Sequence, residues 1–202
     1  MLHFETILPE TLDLMRRILA RPVFAQARLV GGTALALQLG HRVSEDLDVF
    51  GEWNPDEPLA PVLSECGTVT ESGGSGRIQS FFVDGVKVDC VRYPYAWIAD
   101  PVVGDGFRHA DVRDIAPMKL AAVASRGSRK DFVDVAFLLK RLTIREMLAL
   151  YREKYPDGNE YLVLRSLCWF ADAEAQPMPR MLAPFDWNAA KREILAAVEA
   201  AS

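Results

Sequence analysis

Hydrophobic positions change their spacing along this chain, and the change predicts two kinds of structure. In the first half, short apolar runs lie between turns that contain glycine, proline or aspartate, as is typical of short strands. Two such runs, 77–83 and 86–93, flank Asp84-Gly85, which is a strong hairpin signal. The preceding Gly73-Gly74-Ser75-Gly76 is predicted to be a flexible loop. In the second half, apolar residues recur every three or four positions, which predicts helices.

Caps and breaks divide the helical half into separate helices. Asp114 is expected to cap the first of them, with Pro117 still in its first turn, where the missing N–H does no harm. Thr143-Ile144-Arg145-Glu146 is a capping box, and Asp186 is expected to cap the last helix. The run from Tyr161 to Ala171 is rich in large apolar residues and is predicted to be a core helix.

Length and composition allow one substantial core. The 202 residues are 50% hydrophobic, which suffices for a catalytic domain with a helical appendage. We predict an α+β fold: a small mixed β-sheet backed by helices in residues 1–112, followed by a helical C-terminal region, 113–202, packed on that core. No apolar run approaches the roughly 20 residues that cross a bilayer, and no secretory start is seen, so a cytoplasmic protein without membrane contact is expected. The three cysteines show no metal-binding spacing and are interpreted as buried thiols.

A formal net charge of −5 argues against a surface that binds nucleic acid indiscriminately. It leaves room for a local basic groove. The densest positive segment is Arg126-Gly127-Ser128-Arg129-Lys130, which suits a triphosphate or an RNA backbone, or is simply a solvated loop between helices.

An Asp-x-Asp pair offers the clearest chemistry. Asp46 and Asp48 lie in a segment, 46–50, that is predicted to be a strand, so both side chains share one face, and Leu47 and Val49 share the other. Two convergent carboxylates are hard oxygen ligands for Mg²⁺, which completes its shell with water and substrate phosphates. Taken alone, such a pair is also typical of a solvated strand end.

Gly31-Gly32-Thr33 precedes this pair and has its own chemical meaning. It follows the apolar run Arg28-Leu29-Val30 and opens a helix-like run, 34–39, so backbone N–H groups at the helix start are expected to face outward. Such a turn attracts phosphate, although Gly-Gly alone is a common turn. Strand, turn, helix and returning strand would together place phosphate donors beside a metal site.

The two motifs together resemble the Gly-Gly-(Ser/Thr) … Asp-x-Asp signature of the DNA polymerase β-like nucleotidyltransferases. The match is closest to the AbiEii/AbiGii toxin branch, whose members carry Gly-Gly-Thr-Ala-Leu and then His-Arg-x-Ser-x-Asp-Leu-Asp, as this chain does from Gly31 to Asp48. A second motif, Lys-x₆-Arg-Gly-x-x-Lys-Asp-x-x-Asp from Lys119 to Asp134, is also similar to that branch. The resemblance covers roughly residues 28 to 140.

The second motif has a geometric meaning of its own. Lys119 and Arg126 are two helical turns apart and share a face, and Asp131 and Asp134 share a face of the next helix. The two polar faces are placed to converge. Asp131 is expected to cap its helix or to pair with Lys130 or Arg126.

The resemblance implies the roles of the site residues. Asp46, Asp48 and Asp89 would hold Mg²⁺, with Mn²⁺ as an alternative, and Asp89 would help the metal to activate the acceptor oxygen. By residue type alone, Asp89 would be interpreted as an exposed aspartate on a strand, on the same face as Lys87. Lys119 would bind nucleotide phosphate, and Asp134 would act as a base or organise the acceptor end. The expected nucleotide-binding set is Gly31, Gly32, Thr33, Arg42, Ser44, Lys119 and Arg126.

The resemblance also implies the reaction. The chain would move a nucleoside monophosphate from an NTP to an acceptor hydroxyl, as the toxin of a type IV toxin–antitoxin pair acting on RNA such as the 3′ end of tRNA. The implied partners are the NTP, the RNA acceptor and a cognate antitoxin. Two alternatives stay open at this point: an enzyme of the aminoglycoside-modifying type with a small acceptor, and a module that binds nucleotide or a partner without turnover.

Overall fold

The computed structural model describes residues 2–201, apart from the side chains of Glu71 and Ser72. Two compact units are present. The first comprises residues 2–94 together with Pro101–Ala110, and the second comprises Tyr95–Asp100 together with residues 111–201. The predicted α+β class is confirmed, because a mixed sheet and helices are both present.

A mixed sheet organises the first unit. In the described residues it has seven strands in the order β3-β4-β5-β2-β1-β7-β6. Strand β2 runs parallel to β5 and antiparallel to β1, and β1 runs parallel to β7. The strands are β1 Arg28–Val30, β2 Leu47–Gly51, β3 Val69–Ser75, β4 Ile78–Val83, β5 Val86–Arg92, β6 Val102–Gly104 and β7 Phe107–His109.

Alternation along the central strands separates a buried face from a polar face. In β2, Leu47 and Val49 are buried, whereas Asp48 is only partly covered. In β5, Val88 and Cys90 are fully buried and Asp89 lies on the opposite face. Burial raises the pKa of the Cys90 thiol to about 12, so this thiol stays protonated. The predicted alternation of Leu47, Asp48 and Val49 is thus confirmed, but the strand begins at Leu47, so Asp46 lies just before it.

In the described part of the first unit, three α-helices accompany the sheet: α1 Pro9–Leu19, α2 Gly31–Leu39 and α3 Leu59–Ser64. Helix α1 buries Leu14, Met15 and Ile18, as its amphipathic spacing requires. Helix α2 follows β1 without a linker and ends at Gly40, whose φ of 65° provides the left-handed cap.

The hairpins of the first unit differ in part from expectation. The turn at Asp84 and Gly85 is confirmed, with φ of 49° and 78°. The loop prediction for residues 73–75 is wrong, because this segment continues β3 and pairs with β4. Backbone ladder bonds need no side chain, so glycines at a sheet edge still extend a strand. The β6–β7 hairpin, which turns at Asp105 and Gly106, was not predicted from the sequence.

The second unit is helical in the residues described. Its helices are α4 Val112–Ser125, α5 Arg129–Leu138, α6 Ile144–Lys154, α7 Glu160–Leu167, α8 Ala171–Glu174 and α9 Trp187–Ala201. The capping box of α6 is confirmed, with Thr143 and Glu146 bonding each other's backbone N–H. The Asp186 cap of α9 is also confirmed, because its carboxylate accepts bonds from the N–H groups of Asn188 and Ala189.

The cap assignment of α4 needs correction. Asp111, not Asp114, caps this helix, accepting the N–H of Arg113 at 2.9 Å. Because α4 starts earlier than expected, Pro117 lies inside the helix and not in its first turn. Asp114 is fully buried and forms an ion pair with Lys154 at 2.6 Å.

The cysteines and the helices test two further expectations, on thiol burial and on membrane spans. Cys66 and Cys90 are buried as predicted, but Cys168 is exposed, so that part of the prediction is wrong. None of the helices described has both the length and the apolar character needed to span a bilayer.

Candidate active site

The turn at the start of α2 brings backbone directly against a carboxylate. Gly31 has a φ of 67°, which L-residues with side chains rarely adopt. A Cβ placed on Gly31 would lie 2.0 Å from Oδ2 of Asp48. Only glycine therefore allows both this backbone conformation and the present position of the Asp48 side chain.

The neighbouring Gly32 leaves room for the guanidinium group of Arg42. A Cβ there would lie 2.4 Å from a terminal nitrogen of Arg42 and 3.2 Å from Oγ of Ser44. Arg42 is buried and donates to the carbonyl of Val43 at 3.0 Å. The predicted residues Gly31, Gly32, Arg42 and Ser44 are thus brought together around one turn.

The Thr33 side chain holds this turn together from the inside. It is fully buried, and its hydroxyl is hydrogen-bonded to the Ser44 hydroxyl at 2.9 Å. The same hydroxyl donates to the backbone carbonyl of Asp46. Thr33 therefore fixes the backbone on which Asp46 sits, and its predicted contact with phosphate stays a prediction.

Three carboxylates, Asp46, Asp48 and Asp89, form what we call the acidic cluster. Asp48 of β2 and Asp89 of β5 are direct partners in the parallel register, so their side chains leave the sheet on the same face. Asp46 immediately precedes β2. Oδ1 of Asp89 is buried and makes no hydrogen bond to any residue that the structure describes. A buried carboxylate oxygen without a donor is costly unless a ligand satisfies it.

Lys87 supplies a positive charge to the acidic cluster. Its Nζ lies 2.5 Å from Oδ2 of Asp89, and the side chain remains 41% exposed. The pKa of Lys87 is raised, chiefly by the hydrogen bond to Asp89 and further by the charges of Asp89, Asp46 and Asp48. The strand pattern predicted that Lys87 shares a face with Asp89, but Lys87 was not among the predicted site residues.

The acidic cluster fits a divalent cation in chemistry, although it is not a complete cage. Among the residues that the structure describes, no group of three or more His, Cys, Asp or Glu side chains is placed to hold a metal by itself. Mg²⁺ needs no such cage, because it is usually held by one or two carboxylates together with substrate phosphates and water. Hard oxygen donors, an unsatisfied buried oxygen on Asp89 and the paired register of Asp48 and Asp89 match that requirement.

The second sequence motif forms a buried ion network within the helical unit. Nζ of Lys119 lies 2.5 Å from Asp134 and 3.2 Å from Asp131. Arg126 donates two bonds to Asp131, at 2.7 and 2.9 Å, and Ser128 donates a third. The predicted convergence of the two polar faces is confirmed, as is the pairing of Asp131 with Arg126.

Asp131 of this network is ionised at neutral pH. Burial alone raises the pKa of Asp131, but the hydrogen bond from Arg126 and the charges of Lys119 and Arg126 lower it overall to about 2. Lys119 is 4% exposed, so its ammonium is committed to the two carboxylates. Arg126 is 57% exposed and still presents its guanidinium to solvent. The nucleotide role predicted for Lys119 and the acceptor role predicted for Asp134 stay predictions.

A cleft within the helical unit, which we call the arginine cleft, lies beside this network. It has a volume of about 490 Å³ and is lined by Arg126, Arg165, Ser166 and Trp169, among others. Trp169 is 63% exposed, so the expectation that it belongs to the core is wrong. Tyr161, Arg165 and Trp169 follow one another at intervals of four residues and are all exposed. Tyr161 and Arg165 therefore share a face of α7, and Trp169 lies just beyond the end of that helix.

Comparisons with known proteins agree with this arrangement. Residues 13–201 match the family model described as nucleotidyl transferase AbiEii toxin, type IV TA system. The chain is 30% identical to an uncharacterised protein of Aquifex aeolicus (strain VF5) over 176 residues, which are 83% of this chain and 84% of that protein.

Solved structures share the fold at low identity. A putative nucleotidyltransferase from Helicobacter pylori gives a TM-score of 0.59 at 20% identity, covering 96% of this chain and 95% of that one. MenT4, a nucleotidyltransferase toxin from Mycobacterium tuberculosis H37Rv, gives 0.57 at 18% identity, covering 95% and 86%.

Proposed function

Because this chain belongs to the nucleotidyl transferase AbiEii toxin family, and so is an NTP-dependent nucleotidyltransferase, we propose that it transfers a nucleoside monophosphate to a 3′ hydroxyl of RNA. One observation carries the catalytic half of this proposal. Asp48 and Asp89 stand in register on adjacent parallel strands, and Asp48 lies directly against the Gly31 turn. Carboxylates and a phosphate-attracting helix start are thereby placed at one point of the sheet.

The proposed reaction assigns each group of this unit a task. The acceptor oxygen forms a bond to the α-phosphorus, the bond to the bridging β-oxygen breaks, and pyrophosphate leaves with that electron pair. Asp89 takes up the hydroxyl proton. The Gly31-Gly32 backbone and Arg42 bind the β- and γ-phosphates, while Thr33 and Ser44 hold the turn. A divalent cation, Mg²⁺ by preference, held by Asp46, Asp48 and Asp89 would neutralise phosphate charge when bound.

In the helical unit, we assign Lys119 and Asp134 to positioning. Their charges are satisfied by each other and by Asp131, so they fix the loop that carries Arg126. Arg126 keeps an exposed guanidinium that is suited to phosphate. In this proposal Arg126 contacts phosphate, and the buried Lys119, Asp131 and Asp134 hold Arg126 in position.

The RNA acceptor is supported by the arginine cleft. Single-stranded nucleic acid is bound by aromatic rings that stack on bases, combined with cations that contact the backbone. The exposed Arg165 and Trp169 line the cleft together with Arg126 and offer that combination. Since the toxins of this family belong to toxin–antitoxin pairs, a cognate antitoxin is the proposed protein partner.

The test is transfer of label from each α-³²P NTP to total tRNA in the presence of Mg²⁺. We expect a labelled RNA band with wild type and loss of at least about 100-fold with Asp48→Asn, because the metal ligand and its charge are removed. Asp56→Asn makes the same change at an exposed position of the same unit and should retain full transfer.

Two further samples identify the acceptor. RNA whose 3′ end has been oxidised with periodate lacks the vicinal hydroxyls and should take no label. Label on a small aminoglycoside but on no RNA would contradict the RNA acceptor, and full transfer by Asp48→Asn would contradict the catalytic site itself.

A further inference from the structure

Lys87 is the cation of a cleft that is otherwise acidic. This cleft, of about 410 Å³, lies in the sheet unit beside the acidic cluster. Its lining carboxylates are Glu10, Glu45, Asp46 and Asp84, and Lys87 is the one basic residue among the described residues that line it. We call it the acidic cleft. A site with this charge distribution attracts cations from solution.

The geometry of Lys87 is that of a counter-ion already in place. Its ammonium bonds Oδ2 of Asp89, while Oδ1 is buried and accepts no hydrogen bond from the part of the chain that the structure describes. A lysine ammonium is a compact charge on a flexible stem. Because the side chain is 41% exposed at the acidic cleft, the ammonium has an open route into solvent. Asp89, by contrast, is 21% exposed and fixed by its strand.

We propose that Lys87 is an exchangeable counter-ion of the acidic cluster, whose ammonium competes with a divalent cation for the Asp89 carboxylate. This inference rests on the proposed function, because it takes the acidic cluster as the metal site. While no metal is bound, Lys87 offsets one of the negative charges of the cluster, which lowers the repulsion among Asp46, Asp48 and Asp89. The same contact lowers the affinity for the metal, since ammonium and metal compete for one carboxylate. Lys87 is thus a positioning residue that acts through Asp89, and its effect is measured as a change in metal affinity.

The test measures binding of Mn²⁺ alone, without nucleotide, by the loss of the free-ion signal in electron paramagnetic resonance. Lys87→Met keeps the aliphatic stem and removes the charge. We expect it to bind Mn²⁺ about tenfold more tightly than wild type, in line with the loss of a competing partly exposed ion pair. Lys87→Arg keeps the positive charge and should stay within about twofold of wild type.

Two controls separate this effect from a general change of charge or fold. Lys191→Met removes the lysine of an ion pair with Glu174 in the helical unit and should leave Mn²⁺ affinity unchanged. In an Asp89→Asn background, Lys87→Met should gain much less, because the carboxylate that Lys87 contacts directly is gone. Thermal unfolding without metal verifies that each variant is folded, and added Mn²⁺ should raise the midpoint of Lys87→Met more than that of wild type.

The outcomes are distinguishable. Equal or weaker Mn²⁺ binding by folded Lys87→Met overturns the inference and leaves the proposed function standing as long as Asp48→Asn abolishes transfer. Retained transfer by Asp48→Asn overturns the proposed function itself. An equal gain of affinity in the Asp89→Asn background overturns the assignment of Asp89 as the contested ligand.

Discussion

At the scale of single residues, the backbone conformation of Gly31 and its lack of a side chain determine where the Asp48 carboxylate can lie. Gly31→Ala forces a Cβ into the space of Asp48 Oδ2 and also strains a backbone whose φ is 67°. We expect transfer to fall about 100-fold, because a displacement of roughly 1 Å at a reacting group has an effect of that size. The free energy of unfolding should fall by more than the ~1–2 kcal/mol typical of a left-handed alanine.

Gly76→Ala is the matched control for this prediction. Gly76 has a φ of 60°, but a Cβ there would meet no atom within 4 Å. Urea unfolding of both variants isolates the contact with Asp48 as the difference between them, and the transfer assay should show normal activity for Gly76→Ala. Equal stability losses and equal activities in the two variants would refute the role given to the Gly31 contact.

The residue types of the site were predictable from the sequence, but their contacts were not. Gly31, Gly32 and Asp48 stand out because their chemistry and spacing are unusual. Lys87 did not stand out, although strand alternation placed it on the same face as Asp89. Lysines are common on strands, and only the structure shows that its ammonium lies 2.5 Å from a carboxylate. The burial of Lys119 was equally hidden, since it depends on how two helices pack.

At the scale of elements, the ion network that joins α4 to α5 should make stability depend on pH. The pKa of Asp131 is about 2 in the folded protein, below its ordinary 3.8. A lowered carboxylate pKa contributes stability above the unfolded value, and that stability is lost as pH falls through the folded value. We therefore expect wild type to lose the contribution of Asp131 between pH of about 4 and about 2.

The measurement is the difference in unfolding free energy between wild type and Asp131→Asn at several pH values. At pH 7 we expect the variant to be less stable by about 3 kcal/mol, because Lys119 and Arg126 lose a shared buried partner. The difference should shrink toward pH 2, where Asp131 of wild type also becomes neutral. Asp56→Asn controls for removing one exposed carboxylate, and a difference for Asp131→Asn that stays constant with pH would count against this account.

Elements were predicted well where the signal is local and poorly where it is not. The Asp84-Gly85 hairpin and the Thr143 capping box depend on neighbours in sequence. Asp105-Gly106 carries the same signal, yet strands of three residues on either side gave too little pattern to detect. The extension of β3 through Gly73 and Gly74 depends on pairing with β4, and the sheet order depends on contacts between distant segments.

At the scale of the whole molecule, a net charge of −5 requires any RNA binding to rest on a local surface. With two arginines in the arginine cleft, Arg126 and Arg165, we expect about two phosphate contacts. The logarithm of the RNA affinity should then fall with the logarithm of salt concentration with a slope of about −1.4. A general binder of nucleic acid would show a much steeper slope.

Two variants divide this affinity into its charged and stacking parts. Arg165→Gln should make the slope shallower by about 0.7, because one phosphate contact is lost. Trp169→Ala should weaken binding about tenfold at every salt concentration without changing the slope, since stacking on a base releases no counterion. Arg180→Gln removes an exposed arginine of the same unit outside the cleft lining and should change neither quantity. Equal effects of Arg165→Gln and Arg180→Gln would mean that RNA responds to overall charge and that the arginine cleft is not its site.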